Sequence, residues 1–185
     1  MDKPEQQTTK DKPEVTEFIP NKVAQSGLIT LSLEDYYPAG ERQHIDIAPW
    51  LYEGVLLREK DFRKSVKDHD WSQYQDAYVS LSCSEDAIIP QWAYMLLATA
   101  LEPYARKVVY GSPARLESLL MDAAIADADL TAYQDKRVIV KGCGNLPIPP
   151  HAYMAFVSKL KPLTKSIMFG EACSTVPIYK LKKKR

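Results

Sequence analysis

An internal repeat limits this chain more than any other feature. Set against each other at a constant offset of 59, residues 74–111 and 133–170 align without a gap, and about a third of the positions are identical. Tyr74-Gln75-Asp76 meets Tyr133-Gln134-Asp135, Ile89-Pro90 meets Ile148-Pro149, and Ala93-Tyr94-Met95 meets Ala152-Tyr153-Met154. Leu101, Pro103 and Gly111 meet Leu160, Pro162 and Gly170. Matches this many and this evenly spread point to one supersecondary unit used twice, so the fold has to accommodate two copies of it.

Each copy predicts strand, helix, strand. Short apolar runs at Tyr78 to Ser82 and Arg137 to Lys141 suit buried strands. Pro90 and Pro149 stand at helix starts, where a missing N–H costs nothing. The helices end near Leu101 and Leu160, closed by Pro103 and Pro162, and second strands run Lys107 to Gly111 and Ser166 to Gly170. Between the copies, Ser112-Pro113 opens another helix that carries Leu116, Leu119, Leu120, Ala123 and Ala124 on one face.

The expected fold is therefore α/β: a mainly parallel sheet built from the duplicated β-α-β unit, helices on both faces, and a small N-terminal β-containing extension. Right-handed crossovers within a single sheet give the strand order 2-1-3-4, with the first strands of the two copies adjacent at its centre. Ligands of such sheets bind beyond the carboxyl ends of the strands, where the winding reverses.

Around the repeat the chain divides simply. Residues 1–20 are polar, charged and proline-containing, and read as a disordered tail. Residues 21–70 read as a β-rich extension, with Ile29, Leu31 and Leu33 alternating with polar residues, Ile45 and Ile47 repeating the pattern, and a helix over Glu59 to Lys67. The duplicated domain spans 71–179. Residues 180–185 form a basic tail with five positive charges, either a solvated end or a contact for an acidic partner.

Charge and cysteine usage then narrow the setting. Lys plus Arg and Asp plus Glu both total 24, so the basic footprint of a nucleic-acid binder is absent. The sequence has no basic-then-apolar leader and no run of about 18 apolar residues, so neither secretion nor a membrane span is expected. Three cysteines, an odd number, suit reduced thiols in the cytoplasm better than a disulfide framework.

Those cysteines are the main chemical candidates. Cys83 and Cys143 follow the first strands of the two copies, and Cys173 follows the last strand. In one parallel sheet all three rim the same edge, on strands roughly 4.8 Å apart. Thiolates suit zinc, copper(I) or an iron–sulfur cluster, with His151, Glu171 or Asp86 as a fourth ligand. A helix N-terminus near a thiol also favours nucleophilic sulfur chemistry, while cysteine as simple core filling is the plain alternative. No Cys-x-x-Cys pair, phosphate loop or Ser–His–Asp order stands out. His44 and Asp46 alternate on one strand face as ordinary surface polarity, His69 reads as part of a solvated turn, and Tyr94 and Tyr153 read as core or interface residues.

Several stretches resemble an uncharacterised bacterial family. They are Asn21-Lys22-Val23-Ala24-Gln25-Ser26-Gly27-Leu28, His69-Asp70-Trp71-Ser72-Gln73-Tyr74, Gln91-Trp92-Ala93-Tyr94-Met95, Ile139-Val140-Lys141-Gly142-Cys143 and Lys165 to Glu171 running on to Cys173-Ser174-Thr175. The family resembled is domain-of-unknown-function group 2480, found mostly in Bacteroidetes. The resemblance implies no established activity and no assigned catalytic residues, but it turns the expectation toward iron–sulfur assembly.

Three functions are expected on these grounds. The first is an accessory protein of metal, iron–sulfur or sulfur handling, with Cys83, Cys143, Cys173 and His151 as the site. The second is a non-catalytic interaction module, a homodimer or the partner of another protein, using exposed aromatics such as Trp71, Trp92 or Tyr94. The third is an enzyme with a single reactive cysteine.

Overall fold

The computed structural model describes residues 27–142, 144–171 and 174–182. The expected tail at 1–20, Cys143, Cys173 and the last three residues of the basic tail lie outside them. The described residues form seven strands: β1 (Leu28–Leu31), β2 (Arg42–Asp46), β3 (Tyr78–Ser82), β4 (Lys107–Tyr110), β5 (Arg137–Val140), β6 (Ser166–Glu171) and β7 (Ser174–Lys180). They also form four α-helices: α1 (Glu59–Asp68), α2 (Gln91–Leu101), α3 (Pro113–Asp127) and α4 (Pro150–Leu160). The fold is α/β with mainly parallel strands, and the strands and helices of both copies lie where the sequence pattern puts them.

The single sheet in the order 2-1-3-4 does not form. There are two sheets, β2-β3-β4 and β1-β5-β6-β7. Every pairing is parallel except the β6–β7 hairpin. The physical reason lies in the N-terminal strands. The flank of β3 that a strand of the other copy would need is occupied by β2, paired Arg42 to Tyr78 through Asp46 to Ser82. The same flank of β5 is occupied by β1, paired Leu28 to Arg137 through Leu31 to Val140. Residues 21–70 thus lend one strand to each sheet.

The offset of 59 recurs in the backbone. Tyr78 pairs with Lys107 as Arg137 pairs with Ser166. Asp76 and Asp135 both take φ +58, each donating its amide to a carbonyl after the following helix, that of Tyr104 or Leu163. Gly111, just after β4, and Gly170, the last residue but one of β6, take φ +127 and +126, a conformation that glycine reaches without a Cβ penalty.

Helix α3 joins the two sheets. Its Leu116 and Leu120 pack on Val109 and Tyr78 of the three-stranded sheet, while Met121 and Ile125 belong to the core under the four-stranded sheet with Val138, Val140, Phe156 and Ile167. On the other face of the three-stranded sheet, Val79 and Leu81 pack against Phe62 of α1 and Ala93, Leu97 and Leu101 of α2. That sheet is covered by helices on both faces. The four-stranded sheet has α3 and α4 on one face, and no described helix covers its other face. Polar groups tie the layers together. Glu117 accepts from the Tyr37 hydroxyl at 2.7 Å and from Arg42 Nε at 2.9 Å, and Lys159 donates to the carbonyls of Ile125, Ala126 and Ala128 where α3 ends.

Candidate functional site

The carboxyl edge of the three-stranded sheet gathers most of the described chemistry. Cys83 immediately follows the central strand β3 and is half-buried. With Ser82, Glu85, Tyr94, Tyr110 and Gly111 it lines a crevice of about 320 Å³. Tyr94 comes from the first turn of α2 and Tyr110 from the end of β4, and their rings meet edge to face at 4.9 Å. Burial pushes the Tyr94 hydroxyl up to about 12, with smaller electrostatic contributions from the neighbouring Tyr110, Cys83 and Asp46. At pH 7 Tyr94 is therefore a neutral donor on the crevice wall.

The loop after Cys83 is pinned from β2. Asp46 accepts from the amide of Ser84 at 3.0 Å, from its hydroxyl at 2.6 Å, and from the amide of Ala48 at 3.0 Å. Those bonds, the Ser84 hydroxyl first, hold the Asp46 carboxyl below the usual carboxylate range. His44, two residues earlier on the same strand face, lies between two serines: Nδ1 is 2.8 Å from Ser80 Oγ and Nε2 is 3.1 Å from Ser82 Oγ. The Ser80 hydroxyl also reaches the Gln43 carbonyl at 3.4 Å, so the one imidazole links two hydroxyls of β3. This Ser80–His44–Ser82 network was not legible in the sequence, because its members are 36 and 38 residues apart and only the β2–β3 register brings them together.

The expected cysteine rim loses its geometric premise. β3 is paired with β2 and β4, not with β5, so Cys83 does not share a sheet with the strands that precede Cys143 and Cys173. The offset of 59 also places Gly142, not Cys143, opposite Cys83. There the Phe169 ring takes the room, since a Cβ on Gly142 would stand 2.6 Å from Phe169 Cζ. Tyr153 and Phe169 repeat the Tyr94–Tyr110 pair at 5.8 Å, so the second copy keeps the aromatic wall with no sulfur at that position.

His151 lies in the first turn of α4, its Nε2 3.2 Å from Asp122 Oδ1 on α3 but outside hydrogen-bond geometry. Asp86 and Glu171 are exposed. Among the described residues no group of three or more His, Cys, Asp or Glu side chains can hold a metal ion.

The aromatics expected at an interaction surface are partly buried instead. Trp71, Trp92 and Tyr94 pack on the core of the three-stranded sheet, and the Trp71 indole donates to the Val66 carbonyl. His69 contacts Trp71 and Tyr74, with Nε2 3.0 Å from the Tyr74 hydroxyl, so it belongs to this aromatic cluster and not to a solvated turn. Large apolar residues that do face solvent include Ile88, Met95, Tyr110, Met154, Val176 and Ile178. A second concavity of about 250 Å³ lies beside Tyr153, Phe169 and Ile178, and a groove of about 860 Å³ at the amino ends of β5 and β6 is lined by Arg137, Lys165, Ser166, Lys180, Leu181 and Lys182. Neither is lined by a described thiol or imidazole.

A family model described as "Protein of unknown function (DUF2480)" matches residues 17–181. The chain belongs to the DUF2480 family. The DUF2480 match takes in both sheets and the eleven residues before β1, from 17 to 27. No curated protein and no solved structure matches the chain. No helix of the described residues is long and apolar enough to cross a membrane.

Proposed function

We propose that this protein binds a small molecule at the carboxyl edge of the three-stranded sheet, with Cys83 as the group that bonds to it. The observation that carries this reading is the crevice itself. A thiol at the end of the central parallel strand opens onto two aromatic faces and a neutral tyrosine hydroxyl. Parallel sheets bind ligands at that edge, because loops there vary freely over a rigid frame. The ligand class that suits this lining is a small disulfide or persulfide that lies against Tyr94 and Tyr110: the Cys83 sulfur attacks it, the existing S–S bond breaks, and the departing thiol takes up the proton that Cys83 loses, which makes the protein a sulfur-handling one.

The test is alkylation of the folded protein with iodoacetamide, followed by peptide mapping. The expected result is rapid modification of Cys83, slowed by Tyr94→Trp, which narrows the crevice, and absent in Cys83→Ser. Cys83 reacting only after denaturation would sink the reading.

A second reading, metal or iron–sulfur handling, draws on a different observation. β5 and β6 are hydrogen-bonded parallel neighbours, and Cys143 and Cys173 come three and two residues after their respective ends. Under this reading Cys143 and Cys173 are the protein's thiol ligands and Cys83 is separate. Metal and acid-labile sulfide analysis of anaerobically purified protein tests it. Stoichiometric metal lost in Cys143→Ser/Cys173→Ser but kept in Cys83→Ser is the expected pattern, and a metal-free wild type counts against it.

A further inference from the structure

We infer that the groove at the amino ends of β5 and β6 is a docking site for an acidic, extended segment of a partner protein. Three adjacent strands build it. The registers set Arg137, Ser166 and Lys180 side by side on β5, β6 and β7. Their neighbours Val138 and Ile167 lie in the core beneath α3 and α4, and Tyr179 packs on it. Side chains alternate along a strand, so Arg137, Ser166 and Lys180 sit on the opposite face, which no described helix covers. Lys165, Leu181 and Lys182 complete the lining, and the Leu181 amide donates to the Lys165 carbonyl at 2.9 Å, which holds the chain where it leaves β7. Four cations therefore surround a concavity of about 860 Å³ that no described carboxylate lines. Lys165, Lys180 and Lys182 are exposed and belong to none of the ion pairs formed by the described residues.

The lining selects the occupant. The chain carries 24 cationic and 24 anionic side chains, so a groove with four described charges of one sign and none of the other is a local segregation of charge. Its complement is a run of carboxylates. Arg137 and Lys180 stand two strand spacings apart, about 10 Å, which about three extended residues span. Acidic residues two apart in an extended peptide, about 7 Å from each other, therefore come within reach of both long cationic side chains. Leu181 is 57% exposed, and with the aliphatic stems of the lysines it adds apolar contact for residues between those carboxylates. Nucleic acid fits this lining less well. No described aromatic lines the groove to stack on a base, and the balanced charge of the chain is not that of a duplex binder.

Fluorescence anisotropy on the full chain tests the inference, with a labelled peptide of alternating glutamate and leucine as the probe. Saturable binding is expected, weakened by added salt and lost when glutamine replaces glutamate in the peptide. Lys165→Glu/Lys180→Glu is expected to weaken it severalfold, while Lys60→Glu/Lys67→Glu, the same change in net charge placed on α1, leaves it unchanged. All four lysines are exposed, so both variants are expected to fold. Independently of any variant, amide resonances of Ser166, Lys180 and Leu181 in the wild-type protein are expected to shift as the peptide is added. No saturable binding, equal weakening by the two double variants, or shifts confined to other strands would overturn the assignment. Tighter binding of a single-stranded oligonucleotide or of phosphatidylserine vesicles would replace the acidic segment with another occupant and overturn it as well. Self-association that excludes the peptide would do the same, since the occupant would then be a second copy.

Discussion

Asp46 and Ser84 are bonded twice across the ends of β2 and β3, with the carboxylate accepting both the amide and the hydroxyl of the serine. Ser84 directly follows Cys83, so this pair sets the path of the chain past the crevice. Asp46→Ala is expected to cost about 1–3 kcal/mol, the range for charged hydrogen bonds of this kind, and to change the native alkylation rate of Cys83. Chemical denaturation and thiol kinetics on the one variant check both parts. An unchanged midpoint together with an unchanged rate would show that the loop is held by something else.

The same carboxyl makes an acid-side prediction. Its folded pKa is depressed, so its contribution to stability is present above the ordinary carboxylate range and is lost as pH falls through the folded value. Asp46→Asn is expected to flatten the decline in stability below pH 4. Parallel acid-unfolding curves for wild type and variant would reveal the difference.

On the alkaline side, Tyr94 and Tyr133 are both pushed up to about 12, chiefly by burial. A folded pKa raised above the unfolded value means that stability is intact below pH 10 and falls between about 10 and 12, as the unfolded chain loses those protons first. Tyr94→Phe and Tyr133→Phe are expected to lessen that fall. Denaturant midpoints measured from pH 9 to 12 test it, and identical slopes in all three proteins would refute the assignment.

Lys159 closes the carboxyl end of α3 from the neighbouring helix by donating to three carbonyls at 2.7 to 2.8 Å. Lys159→Met keeps the length of the side chain and removes every donor. The expected loss is about 2 kcal/mol, with faster amide exchange confined to the end of α3. A loss spread evenly through the protein would mean that Lys159 acts through packing instead.

Phe156 is fully buried and stands 4.9 Å from the Tyr36 ring, between α4 and the turn that follows β1. Phe156→Ala is expected to cost about 3–5 kcal/mol. Leu97 is the corresponding fully buried core residue on α2, and Leu97→Ala is expected to cost about 2–5 kcal/mol. Two resolved unfolding transitions, each shifted by only one of the variants, would show the two sheets melting separately; a single shared transition would show that α3 couples them.

Local pattern in the sequence determined which segments became strands and helices. The apolar runs of β3 and β5, the prolines at the starts of α2 and α4, and Gly111 and Gly170 near the ends of β4 and β6 all act within a few residues of themselves. Such signals survive in a linear reading. The choice of strand partner depended on the tertiary structure, because hydrogen bonding at a sheet flank goes to whichever strand occupies it, however distant in the chain. β1 and β2 took those flanks, separating the two copies into two sheets and Cys83 from the strands that precede Cys143 and Cys173. The same pairing brought His44 to Ser80 and Ser82, and Asp46 to Ser84, none of which has a sequence signature. Cys83 was legible as a residue, but its aromatic crevice was a product of folding.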